Sequence, residues 1–92
     1  IDVYVISLGE VDTYSSKITE LLRNNGIKTE MDYQKRSLKA QFKSADRYKA
    51  KIIVIVGENE YSNNIVQIKD TTSKTQENVK YEKLVEKIKS II

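Results

Sequence analysis

Between Asp32 and Lys51 the segment DYQKRSLKAQFKSADRYKAK spaces Lys39, Lys43 and Arg47 four residues apart, so a helix there would carry three cations on neighbouring turns of one surface. Residues 33–51 hold seven bases and one acid, a net +6, while the other residues hold nine bases and twelve acids, a net −3, within a chain total of +3. Cations at that spacing can follow a phosphate backbone, and each contact releases condensed counterions, which makes such binding salt-sensitive. The same residues also suit a solvated helix face, where lysine stems cover apolar surface. Charge alone does not choose among DNA, RNA and an acidic protein.

A second cluster is GENE, Gly57 to Glu60. Glu58 and Glu60 beside a glycine could accept hydrogen bonds from the amino groups of unpaired bases, or could simply belong to a turn. Acid-base catalysis by this pair is the weakest reading, because no nucleophile or second titrating partner stands nearby in the sequence. Tyr33 and Tyr61, expected in loops, could stack on unpaired bases, although a tyrosine at a strand-loop junction commonly packs half-buried. The chain has neither Cys nor His, which excludes disulfides, thiol nucleophiles, zinc held by those residues and a histidine triad. SLGE, residues 7–10, lacks the glycine-rich fingerprint of a dinucleotide site, and Asp2 lies at the start of its strand, away from the strand end where a phosphoacceptor would sit.

The elements that must position these residues are readable from periodicity. DVYVISL, residues 2–8, and IIVIV, residues 52–56, are apolar runs ended by glycine and predict central strands buried on both faces. A helix from Asp12 or Thr13, either serving as N-cap, places Tyr14, Ile18, Leu21 and Leu22 inward and stops at Asn24, Asn25 and Gly26. Residues 27–31 predict an edge strand. Ser37 can cap a second helix whose apolar stripe is Leu38, Phe42 and Ala45, with Lys39, Lys43 and Arg47 beside it. Residues 65–69 and 75–80 predict a hairpin around DTTSK. A last helix, YEKLVEKIKSII, places Leu84, Val85, Ile88, Ile91 and Ile92 on one side.

The order β-α-β-α-β-β-β-α predicts an α/β fold with three layers. Right-handed crossovers make the first three strands parallel in the order 2-1-3, with helices on both faces and the hairpin extending the sheet. A crevice then opens at the carboxyl ends of the strands, where residues 8–10, 32–36 and 57–60 are expected to meet. A chain of 92 residues fits one domain, here spanning 1–92, that buries roughly 60–65% of its unfolded surface. No apolar run approaches the ~18 residues of a membrane span and no signal-peptide pattern is present, so no membrane partner is expected and a cytoplasmic origin is the default. The start at Ile1, without Met and directly in strand-like sequence, reads as a piece of a longer protein.

Together DVYVISLGE, NNGIKTEMDY, RSLKAQFKSADR, IIVIVGENE and IVQIKD closely resemble the C-terminal anticodon-binding domain of class II aminoacyl-tRNA synthetases, over nearly the whole chain. RSLKAQFKSAD directly after DY is most similar to the histidyl branch, with the threonyl, prolyl and glycyl branches as alternatives. The resemblance implies a five-stranded mixed sheet in the order 2-1-3-4-5 with strand 4 antiparallel. It also implies binding of the tRNA anticodon stem-loop, with no catalytic residue, metal or cofactor in this domain. ATP and Mg would serve a separate catalytic domain of a homodimeric histidine-tRNA ligase.

Carried over from the relatives, anticodon contacts fall on the loop before the second helix, here Tyr33, Lys35 and Arg36. They also fall on the acid closing GENE, here Glu60, and on the basic residue of the fourth strand, here Lys69. The threonyl branch tends to carry a polar amide at the place of Lys35, and a lysine there suits a phosphate better than a base edge. A competing reading from another class is a regulatory or protein-interaction module of synthetase-like descent. A free-standing flavodoxin-like enzyme is disfavoured by the missing phosphate loop.

Overall fold

A computed structural model describes residues 1–34 and 36–92; Lys35 lies outside the described residues. The strands are β1 (Val3–Ser7), β2 (Thr29–Met31), β3 (Ile52–Val56), β4 (Ile65–Asp70) and β5 (Gln76–Lys80). The helices are α1 (Asp12–Asn24), α2 (Leu38–Arg47), α3 (Glu58–Ser62) and α4 (Leu84–Ile91), the last preceded by a 3₁₀ turn at Tyr81–Lys83. They form one five-stranded sheet in the order β2-β1-β3-β4-β5. β1 is parallel to β2 and β3, as the two crossovers predict, β4 is antiparallel to β5, as the hairpin predicts, and β4 is antiparallel to β3, as the family resemblance implies.

Alternation along β1 divides the core in two. Val3 and Val5 face α1 and α4, packing with Ile18, Leu22, Leu84 and Ile88 in the larger cluster. Tyr4 and Ile6 face α2, packing with Ala45 and Ile53 in a smaller one. The β1 residues Val3 to Ile6 are all buried, in keeping with a central parallel strand covered by helices on both sides.

Several local expectations change. Ile92, expected on the apolar side of the last helix, lies past the end of α4 and is exposed. Neither Asp12 nor Thr13 caps α1: the N-cap is Val11, with no side-chain hydrogen bond. GENE is not a turn: Gly57 is extended and serves as the N-cap of a short helix, Glu58–Ser62. In α2 the Ser37 cap is present, its Oγ accepting from the Ala40 amide at 3.2 Å, but the helix is turned about its axis from the Leu38, Phe42 and Ala45 stripe. Gln41, Ser44 and Ala45 are the buried positions, Phe42 is half-buried and Leu38 is 41% exposed. Hydrogen bonding outweighs hydropathy here, since both inward polar side chains have partners that only this rotation reaches.

A half-buried ring loses less on truncation than the about 3–5 kcal/mol of a fully enclosed one. Phe42→Ala is therefore expected to cost about 1–2 kcal/mol in urea unfolding. A loss above about 3 kcal/mol would show that Phe42 is enclosed and the rotation wrong.

Candidate nucleic-acid interface

Strand β2 ends at Met31, opposite Val5, so it runs out before β1 does. Ser7, two residues further along β1, still pairs with Val56 of β3 but has no β2 partner. The Gln41 carboxamide fills that place. Its Oε1 accepts from the Ser7 amide at 2.9 Å, and its Nε2 donates to the Ser7 carbonyl at 2.9 Å and to the Arg36 carbonyl at 2.8 Å. A planar group with one acceptor and two donors thus imitates a strand's peptide and ties the loop before α2 to the end of β1.

The same loop is held from its other side by Asp32. Its carboxylate accepts from the amides of Gln34 (3.2 Å) and Arg36 (3.0 Å) and from Arg36 Nε (3.2 Å). The second arm of the Arg36 guanidinium donates to Ser44 Oγ at 2.5 Å. Burial pushes the Asp32 carboxyl up, yet the Arg36 and Gln34 amides, then the hydrogen bond and charge of the Arg36 side chain, hold it below the ordinary 3.8.

A depressed folded pKa adds stability above the unfolded value, and that increment is lost as pH falls through the folded one. Asp32→Asn should therefore unfold at lower urea than the parent at pH 7, by about 1 kcal/mol, with the two curves converging below pH 3.8. A difference that stays constant down to acid pH would exclude the charge as its source.

Ser7 to Glu10, Asp12, Asp32, Arg36 to Leu38 and Gln41 line a cavity of about 350 Å³ at the carboxyl end of the sheet. Two of the three segments expected there line it. The third, Gly57 to Glu60, is not among its walls and meets the first through Glu58, whose Oε1 lies 3.5 Å from the Glu10 amide. Gly9 allows this approach: its φ is +82°, and a Cβ there would stand 3.1 Å from Glu58. Glu60 is 8% exposed and its Oε1 accepts from the Gly57 amide at 2.8 Å, so one of its oxygens caps α3.

The remaining expected site residues fall into two groups. Around α2, Lys39 and Lys43 are exposed on its outer surface. Arg36 and Tyr33, the latter 66% exposed, lie on the β2 flank, and both line a second cavity there. Lys69 lies on the β4 flank, with its Nζ 5.8 Å from the centre of the Phe42 ring. Its register opposite Ile53 puts it near the amino end of β3, away from the GENE rim. Tyr61 is in α3 rather than a loop. Its ring packs 5.1 Å from that of Tyr14 in the α1 and α4 layer, leaving Tyr61 57% exposed. The Tyr14 phenol donates to the Ile65 carbonyl at 3.0 Å, and burial, then Tyr81 and Glu60, push its pKa up. Lys35 lies outside the described residues.

What the geometry offers is recognition: an exposed cationic ridge, a polar cavity at its amino end and carboxylates along the rim. Among the described residues no group of three or more acids stands together as a metal site, and no helix is long and apolar enough to cross a membrane. Gln41 was missed in the sequence reading. Its one signal was a polar residue one turn after Leu38 and one residue before Phe42, which hydropathy assigns to solvent.

The family model described as "Anticodon binding domain" matches residues 2–91, and the chain belongs to that family. It is 37% identical to histidine-tRNA ligase of Staphylococcus aureus over 90 residues, covering 97% of this chain and 21% of that protein. The fold is similar to that of apo histidyl-tRNA synthetase from S. aureus, with a TM-score of 0.89 over 97% of this chain and 23% of the other. Histidyl-tRNA synthetase from Nostoc sp. PCC 7120 aligns with a TM-score of 0.88 at 29% identity, covering 99% and 21% of the two chains. The RNA binding domain of threonyl-tRNA synthetase from Cryptosporidium parvum shares the fold, with a TM-score of 0.88 at 21% identity over 98% and 23%. This chain thus spans about a fifth of the length of the curated relatives it matches.

Proposed function

We propose that residues 1–92 are a single anticodon-recognition domain of a cytoplasmic histidyl-tRNA synthetase and bind the anticodon stem-loop of the tRNA for histidine. The observation that carries this reading is the 37% identity to a histidine-tRNA ligase across 97% of the chain. In the parent enzyme, a homodimer, ATP with Mg would activate histidine on a separate catalytic domain, and this domain would contribute binding alone.

Lys39 and Lys43 hold anticodon-stem phosphates, joined by Arg36 at the crevice loop and by Lys35, its neighbour in sequence. Because Arg36 already bonds Asp32 and Ser44, it meets RNA with its orientation preset. Glu58 accepts from base amino groups, and Glu60 does so through the oxygen not used in the α3 cap. Lys69, Tyr33 and Tyr61 meet unpaired bases from three separate directions. Phosphate contacts supply most of the salt-dependent affinity, and hydrogen bonds to base edges supply specificity.

Filter binding with tRNA for histidine and an anticodon-swapped version, at physiological salt, tests the assignment. Tighter binding of the cognate tRNA is expected, and equal affinity would remove base readout.

A further inference from the structure

On the β2 flank of α2, away from Lys69, a cavity of about 370 Å³ is lined by Tyr33, Tyr48, Tyr4, Arg36, Arg47 and Ser44, among others. Tyr4 is buried at its base, and the Tyr48 ring packs on it with centroids 5.7 Å apart and planes 30° apart. Tyr48 is nevertheless 46% exposed and Tyr33 66% exposed. Singly exposed aromatics are ordinary on a protein surface, but here two open onto one cavity. Asp32, also in this wall, is matched by Arg36, to which it is bonded. Arg47 therefore leaves the cavity net cationic.

Arg47 is also the end of a track. Lys39, Lys43 and Arg47 follow one another at four-residue intervals along α2, about 6 Å of helix rise per step. Each step turns about 40° round the helix, because four residues exceed one turn. The track therefore drifts across the outer surface of α2 from the crevice end toward the side where Arg47 lines the cavity with Tyr33 and Tyr48.

We infer that this cavity is a second RNA contact, in which one unpaired nucleotide outside the crevice stacks on Tyr48 or Tyr33 while Arg47 holds its phosphate. The inference rests on the RNA-binding reading above. An aromatic surface beside a cation is the pairing that retains single-stranded nucleic acid with little regard to sequence, so this contact adds affinity without adding anticodon specificity.

The test measures anisotropy of a fluorescently labelled anticodon stem-loop RNA of the histidine tRNA against the 92-residue chain and its variants. Tyr48→Ala is expected to weaken binding about 5- to 150-fold, the range for losing one stacked base, and Tyr48→Phe to retain it. Arg47→Gln, which deletes an exposed charge, should weaken binding and lower the slope of log affinity against log salt by about 1. If Tyr48→Ala fails to fold, Tyr33→Ala and Arg47→Gln carry the test. Parental affinity and salt slope in those two variants, with the parent binding well, would overturn the cavity assignment and leave the crevice reading standing. A parent chain that does not bind the stem-loop even at low salt would overturn both.

Discussion

Gln41→Leu is expected to lower the unfolding free energy by about 2–4 kcal/mol, although leucine is close in size to glutamine and lies in a buried position. The cost is not cavity formation. It comes from the Ser7 amide, the Ser7 carbonyl and the Arg36 carbonyl, which lose their partner together. Each orphaned group costs about 1–3 kcal/mol where water cannot reach it, and the adjoining crevice lets water recover part of that sum. Gln41→Glu separates the causes, since it keeps the shape and the acceptor for Ser7 but loses the donor. At neutral pH a carboxylate would face two carbonyl oxygens, so this variant should be at least as unstable as Gln41→Leu. It should recover partially as acid protonates the carboxyl and restores one donor. Urea midpoints of both variants across pH give the answer, and a loss below about 1 kcal/mol for Gln41→Leu would mean that β1 does not depend on a side chain to complete its edge.

The same residue marks where sequence reasoning stops. Strands at residues 2–8 and 52–56 were legible because a strand covered on both faces needs an unbroken apolar run, and nothing else of that length is apolar here. The order 2-1-3 followed from crossover handedness, and the Ser37 cap from a serine before a periodic helix. The rotation of α2 could not follow from its own residues. It depends on β2 ending at Met31 while β1 runs on to Ser7, a mismatch between segments more than 20 residues apart that only the register reveals.

The site was legible in the same measure. Exposure of Lys39 and Lys43 is a property of one helix and was visible in its spacing, whereas the caging of Arg36 by Asp32 and Ser44 draws on a loop and a helix at once. GENE was ambiguous for a different reason. Five residues are too few for a helical period to show; the Tyr61 and Asn63 amides donating to the Gly57 and Asn59 carbonyls make the segment a helix, and the Glu60 side chain closing back on Gly57 caps it.

Reversing two charges on the α2 ridge gives a large expected change in binding. Lys39 and Lys43 are exposed, and neither belongs to the buried Gln41, Ser44 and Ala45 face. Lys39→Glu with Lys43→Glu should thus leave the urea midpoint nearly unchanged, since solvated surface substitutions away from caps and ion pairs usually stay within about 0.5 kcal/mol. Binding of the anticodon stem-loop is a different matter. Two phosphate contacts account for a slope of about 1.4 to 1.8 in log affinity against log salt, and replacing them with repulsion should weaken binding about 10- to 100-fold near 50 mM salt.

The difference between variant and parent should shrink as salt rises, because screening removes attraction and repulsion together. That convergence separates an electrostatic ridge from a lost shape contact, which would weaken binding equally at every salt concentration. Parental affinity at low salt in the double variant would confine Lys39 and Lys43 to solubility and leave the RNA to the remaining contacts, among them the loop at Arg36 and the rim at Glu58.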